Sequence, residues 1–181
     1  MLGSLSGAEL RNALREMATN PTSSPVLQLL LVVHSGNKEI LTSLLNSLLL
    51  GNSFFSPFVI HNILTESADS TITPVKRYDS PFTEHGIKDS VCSHVFEVIF
   101  QVAPPEIYLG LYVAHFRGKL ADLCQHNVAN FVVAQLISAS KSSVHIDMLL
   151  DELMPSLSFL LCTCGSASWN MYIFFSNHLC S

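Results

Sequence analysis

Charge is what this sequence has least of. Asp, Glu, Lys and Arg make up 13% of its 181 residues, with 9 Lys and Arg against 14 Asp and Glu, a net charge of -5. Domains whose main work is gripping nucleic-acid backbone usually carry a basic face, so nine cations limit the phosphate contacts available and any such affinity should be modest. Long apolar runs are missing too. The longest, VLQLLLVV and LSFLLC, fall well short of the roughly 18 to 20 residues that span a bilayer. The chain is expected to be soluble and to have no membrane partner. Its opening, MLGSLSGAELRNALRE, has no basic segment followed by an apolar core, so no secretory signal is expected.

Motifs that carry chemistry are equally scarce. Cys162 and Cys164 are separated by one residue rather than two, and no second pair stands at zinc-finger spacing. With Cys92, Cys124 and Cys180 the cysteines are odd in number, and they read as reduced, intracellular thiols. His94 and Glu97 do not complete an HExxH pattern, and neither a hydrolase motif nor a Gly-rich phosphate loop occurs. Asp122 and His126, four apart on one helix, have a spacing a metal could use but read as a solvated pair at a helix end. The expectation is a protein that is no enzyme and holds no metal, no cofactor and no small-molecule substrate.

What is present is repetition. VCSHVFEVIF (Val91 to Phe100) and VANFVVAQLI (Val128 to Ile137) share one helical register at an offset of 37 residues (128 minus 91). Val91, Val95, Phe96, Ile99 and Phe100 superpose on Val128, Val132, Val133, Leu136 and Ile137. Shifting back by 69 residues reaches Val26, Leu27, Leu30 and Leu31, with only Thr22 failing to be strongly apolar. A period of this size is the mark of stacked supersecondary units, none able to bury its apolar face alone. Leu10, Leu14, Met17 and Ala18 precede the first copy at the same offset of 106 at which Phe116, Leu120, Leu123 and Cys124 precede the third. Each repeat therefore has a partner helix. For the second copy that partner is expected at Ile40 to Leu49, after which GNSFFSPF and the Ser-, Thr-, Pro- and Asp-rich stretch from Ser67 to His85 read as a long surface excursion. Leu153, Leu157, Leu160 and Leu161 begin a fourth unit.

The expected architecture is thus all-α: an α-solenoid of helix-pair repeats over residues 8–161. The repeat helices are expected at about 8–35, 36–50 plus 86–102, 105–140 and a partial 141–161, with an insertion at about 51–85 and an atypical tail at 162–181. In that tail the register fits only partly, placing Trp169, Ile173 and Phe174 in core slots but Asn170 in another. An uncapped last repeat would leave apolar surface in water, so the chain is expected to be a fragment or shortened form of a longer horseshoe.

If the apolar positions of each second helix point inward, positions i, i+1 and i+4 face outward on the concave side. These are Ser24, Pro25 and Gln28, then Ser93, His94 and Glu97, then Asn130, Phe131 and Ala134. Residues i and i+4 lie one above the other while i+1 stands about 100 degrees round, so two side chains can meet a base edge as the third stacks on its ring.

The strings KDSVCSHVFEVIFQVAP and HFRGKLADLCQHNVANFVV resemble repeats of the pumilio (PUF) RNA-binding family, and within it the nucleolar branch of ribosome biogenesis; the likeness runs from about Ala8 to about Leu161. The resemblance implies a right-handed α-solenoid of pumilio/armadillo-like helix-pair repeats and an RNA-binding protein whose ligand is pre-ribosomal RNA, with a role in small-subunit rRNA maturation, residence in the nucleus and nucleolus, and pre-ribosomal assembly proteins as further partners. In such repeats one base is read by two or three side chains of one helix. By that resemblance Ser93 and Glu97 face a base edge while His94 stacks, and a carboxylate suits the paired N1 and N2 donors of guanine. Ser24 with Gln28 resembles an adenine-type pair, although Pro25 offers no planar ring. Asn130 and Phe131 match the family pattern, but Ala134 stands where a Gln is expected and Gln135 follows it, so relaxed specificity is expected there. Spacing alone fits a plainer reading: His94 and Glu97 as a surface pair, Asn130 satisfying a turn, Phe131 filling space. The alternative to RNA binding is an armadillo- or HEAT-like scaffold that holds a protein or peptide, which the acidic charge balance favours.

Overall fold

The structure is a computed structural model that describes residues 6–49, 81–140, 142–156 and 158. Its regular elements among those residues are all helical. α1 (Gly7–Thr19) opens on a capping box: Glu9 N donates to Ser6 Oγ at 3.3 Å and Ser6 N to Glu9 Oε2 at 2.7 Å, satisfying two orphan amides at once. It is followed by α2 (Ser24–Val33), α3 (Lys38–Leu49), α4 (Pro81–Lys88), α5 (Cys92–Val102), α6 (Pro105–Leu111), α7 (Leu120–Gln125), α8 (Ala129–Ser138) and α9 (Ser143–Leu153).

Three of these form one row. α2 packs on α5, and α5 on α8. The shared register explains why: Leu27 and Leu31, Phe96 and Phe100, and Val133 and Ile137 occupy the same slots in the three helices and are at most 1% exposed. Behind this row stand α1, α4 and α7, which pack on α2, α5 and α8 in turn. The first and third of these pairs also meet a third helix. α3 packs on α1, and α9 on α7, so that a first helix, an outer helix and an inner helix recur along an α-solenoid.

The second unit departs from the sequence expectation in one respect. Its outer partner is α4, which starts inside the stretch read as excursion, whereas Lys38–Leu49 packs on α1. Leu14, Met17 and Ala18 of α1 correspond, 69 residues on, to Thr83, Gly86 and Ile87. Two of these three are not apolar side chains, yet all three are buried. The glycine is required by shape. A Cβ at Gly86 would lie 2.8 Å from Phe96 Cε2 and 2.9 Å from Cys92 Sγ, so the large Phe96 ring fills the slot that Met17 and Leu123 fill for themselves in the other units. Residues 50–80, most of the expected insertion, lie outside the described residues, as do Leu157, Leu160, Leu161 and the tail at 162–181.

Aromatic contacts join the second and third units. Phe100 meets Tyr108 edge-on at 5.8 Å and Phe116 at 5.1 Å. The Tyr108 hydroxyl donates to Leu136 O at 2.8 Å, and burial pushes its pKa up to about 12. α6 does not end at Leu111 but widens into a π turn, Tyr112–Phe116, in which Arg117 N donates to Tyr112 O at 2.9 Å. The chain then reverses through Gly118, whose φ of 77° is open to glycine at little cost. Glu152 of α9 fastens this turn, accepting from Gly118 N at 2.7 Å, Leu120 N at 3.1 Å and the Tyr112 hydroxyl at 3.0 Å. One carboxylate so caps α7 and ties the third unit to the next.

Val26, expected in the core, is instead 58% exposed, and Leu29 and Val33 beside it are 63% and 67% exposed. The equivalent Val95 and Val132 are fully buried because α2 covers the first and α5 the second. Among the described residues no inner helix stands before α2 to cover its own. No helix of the described residues is long and apolar enough to cross a membrane.

Candidate nucleic-acid interface

The inner row α2, α5 and α8 carries every candidate reading residue, and a recurrent cap sets where each of its helices begins. Asn20 Oδ1 accepts from Thr22 N at 2.9 Å and Ser23 N at 3.4 Å. Asp89 Oδ1 accepts from Val91 N at 3.0 Å and Cys92 N at 2.8 Å. His126 Nδ1 accepts from Val128 N and Ala129 N, both at 3.2 Å. These three residues share one register position, 69 and 37 residues apart. Their carbonyls also recur as acceptors, for Ser24 N at 2.8 Å, Ser93 N at 3.0 Å and Asn130 N at 3.2 Å. Each reading triplet therefore starts four residues after a capping side chain, at a fixed phase of its helix. Sequence reasoning missed this position, although sliding the register over Asn20, Asp89 and His126 lines up three side-chain acceptors. His126 is thus a helix cap with Nδ1 unprotonated, rather than half of a solvated pair with Asp122.

On α5 the three expected residues separate. His94 and Glu97 are brought together at the surface, His94 Nδ1 lying 3.0 Å from Glu97 Oε1, with side chains 63% and 30% exposed. Ser93 is only 2% exposed, because this small residue faces the packed side of the helix. Of the two residues expected to meet a base edge, only Glu97 therefore stands at the surface. Ser24 is buried likewise, at 1%, and its hydroxyl accepts from Gln28 Nε2 at 3.1 Å, so the two members of the expected pair are bonded to each other. Pro25 is exposed beside them. On α8, Phe131 is 52% exposed and presents an uncovered ring. Asn130 is partly buried and its Oδ1 has no hydrogen-bond partner among the described residues. Ala134 and Gln135 are both partly buried.

Electrostatically the row is mild. Its His94 and Glu97 pair within one helix, and Asp89 stands at its edge. Cys92, below the reading surface, is held far from reactivity: burial and then the Asp89 charge push its thiol up to about 12. No cluster of three or more His, Cys, Asp or Glu that could hold a metal occurs among the described residues. The arrangement suits recognition: a row of helices at one phase, exposing His94 and Phe131 as flat rings and Glu97 as an acceptor.

A family model described as a NOP9-like PUF repeat domain matches residues 3–166. The chain belongs to the NOP9-like PUF repeat family. This is a family of repeat proteins, not an enzyme family. Among its relatives, Pumilio homolog 23 of Arabidopsis thaliana is 35% identical over 75 residues, which are 41% of this chain and 10% of the relative. Nucleolar protein 9 of Mus musculus is 32% identical over 75 residues, 41% of this chain and 12% of the relative. Nucleolar protein 9 of Yarrowia lipolytica is 29% identical over 150 residues, 82% of this chain and 18% of the relative. The chain therefore spans less than a fifth of the length of each of these curated PUF relatives. A solved structure described as APUM23-GGAGUUGACGG shares the fold, with a TM-score of 0.71 and 24% identity, covering 98% of this chain and 29% of that one.

Proposed function

We propose that this chain is an RNA-binding segment of a nucleolar PUF protein whose ligand is pre-ribosomal RNA and whose work is maturation of small-subunit rRNA. The observation that carries the reading is the inner row: three helices with one capping position, one core register and one outward phase, on a chain that belongs to the PUF repeat family. The relatives from Mus musculus and Yarrowia lipolytica bear the name Nucleolar protein 9, which supports a nucleolar site of action, and the string in the description of the APUM23 structure contains uracil, the RNA base.

The mechanism is recognition. His94 and Phe131 stack on base faces, a contact worth about 1–3 kcal/mol per base in single-strand binders. Glu97 accepts from the N1 and N2 donors of a guanine, a pairing that an adenine edge cannot reproduce. Asn130, whose Oδ1 is buried, contributes only after its side chain turns outward, and Gln28 only after leaving Ser24.

The test is binding of the chain to short single-stranded RNAs differing by one guanine, at two salt concentrations. Glu97→Ala is expected to abolish the guanine preference, while Ser93→Ala leaves most of it because Ser93 is buried. Binding that is indifferent to the guanine in both wild type and Glu97→Ala would overturn the assignment of Glu97. A second reading, a scaffold for a protein partner, is favoured by the exposed apolar stripe Val26, Leu29 and Val33. It predicts binding that changes little with salt, whereas phosphate-driven binding weakens steeply.

A further inference from the structure

Six Lys and Arg lie among the described residues: Arg11, Arg15, Lys38, Lys88, Arg117 and Lys119. Two are engaged far from any reading position. Arg15 Nε donates to Leu48 O at 3.0 Å with its guanidinium 4.8 Å over the Phe82 ring, and Lys38 pairs with Glu106 at 3.1 Å. Three others gather in one place. Lys88 ends α4, and Arg117 and Lys119 belong to the turn that leads into α7.

Between them lies a shallow notch, open to solvent and about 20 Å³ in volume, lined by Glu84, Ile87, Lys88, His115, Lys119 and Leu123. Its lining comes from α4, the π turn and α7, and from no helix of the inner row. Ile87 and Leu123 make an apolar floor, while Lys88, Lys119 and His115 stand on the rim against one carboxylate, Glu84. The π turn adds a residue to the last turn of α6, a local irregularity of the kind frequent at functional sites, and His115 lies within it. Lys119 and Glu84 are 3.5 Å apart, well beyond the roughly 2.7–2.9 Å of a tight charge-assisted bond, so the Glu84 carboxylate holds this ammonium only loosely. Because Glu152 already holds the Gly118 and Leu120 amides, the side chains rather than the helix end must supply the donors.

We infer that this notch seats a backbone phosphate of RNA, with Lys88 and Lys119 as its cationic contacts and His115 as a further donor. The inference rests on the RNA-binding reading above for its ligand. A compact ammonium on a flexible stem suits a phosphate oxyanion approached from several directions, and RNA presents one phosphate per nucleotide. An RNA read along the inner row can thus be gripped a second time at the outer helices, through a contact blind to sequence.

The probe is an oligouridine, which lacks guanine, titrated against the full 181-residue chain over about 50–200 mM salt, where log K falls with log salt by about 0.7 per phosphate neutralised in a single strand. Lys88→Gln and Lys119→Gln are each expected to flatten that slope by about 0.7 and their combination by about 1.4, while Glu84→Gln strengthens binding. The guanine preference should survive in both lysine variants. Unchanged slopes in variants that melt like wild type would overturn the notch, as would oligouridine binding that does not respond to salt. Loss of the guanine preference in Glu97→Ala with the slope intact sinks neither proposal, whereas a wild type without preference but with lysine-dependent slopes removes only the base reading.

Discussion

His126 does at one position what Asn20 and Asp89 do at the equivalent ones, but with a ring nitrogen in place of an amide or carboxylate oxygen. Losing such a cap typically costs about 1 kcal/mol, because buried amides at the helix start lose their acceptor. His126→Ala is expected to lower stability by about that amount, and His126→Asp to restore it, since Asp89 already serves this register. Urea denaturation of the three chains checks this, and an unaltered midpoint in His126→Ala would remove the cap from the account. At this scale the sequence was only partly legible. The exposed rings of His94 and Phe131 could be anticipated because helix phase decides which side a large residue takes. The burial of Ser24 and Ser93 could not, because a serine is small enough to fit at a packed boundary and polar enough to be read as surface.

Among the elements, the helices whose partners share a register were plain, and α4 was not. Its core slots hold Thr83, Gly86 and Ile87, and the burial that makes it a helix partner is supplied by Phe96 from across the interface. No pattern within 81–88 reports that. α6 was hidden for a related reason, since it is recognisable by its contacts, through Tyr108, more than by its own periodicity. Tyr108 also stacks on His145 of α9, with ring centroids 5.0 Å apart and an interplanar angle of 19°. Burial there lowers the His145 pKa from its ordinary 6.5. The unfolded chain then takes up the proton first as pH falls, so this contribution is complete above about pH 6.5 and is lost progressively below it. His145→Phe keeps a flat ring and abolishes the titration. Between about pH 7 and 5 its stability should fall less than that of wild type, whose melting temperature over the same interval is the control.

For the whole molecule, repetition was legible because one offset aligned apolar residues in copy after copy, and the family match covers the same span. The acidic balance remains a real constraint. With few cations, affinity for a polyanion must come from stacking and from cations gathered in one place rather than from a charged face, and the distribution of Lys88, Arg117 and Lys119 matches that need.

The order of the inner helices has a kinetic consequence. In a linear stack the free energy is close to a sum over nearest neighbours, so a terminal unit severs one interface when it opens and an interior unit severs two. Among the described inner helices, α5 alone lies between two others. Amide hydrogens of α5 should therefore exchange with deuterium more slowly than those of α2, which bares Val26, Leu29 and Val33 to water on its open side. Time-resolved exchange read by mass spectrometry should show protection peaking between Cys92 and Val102 and decaying outward, and α2 as slow as α5 would contradict that order. Glu97, the proposed guanine reader, would then sit on the last part of the inner row to loosen, leaving the flanking helices free to adjust around a base already held.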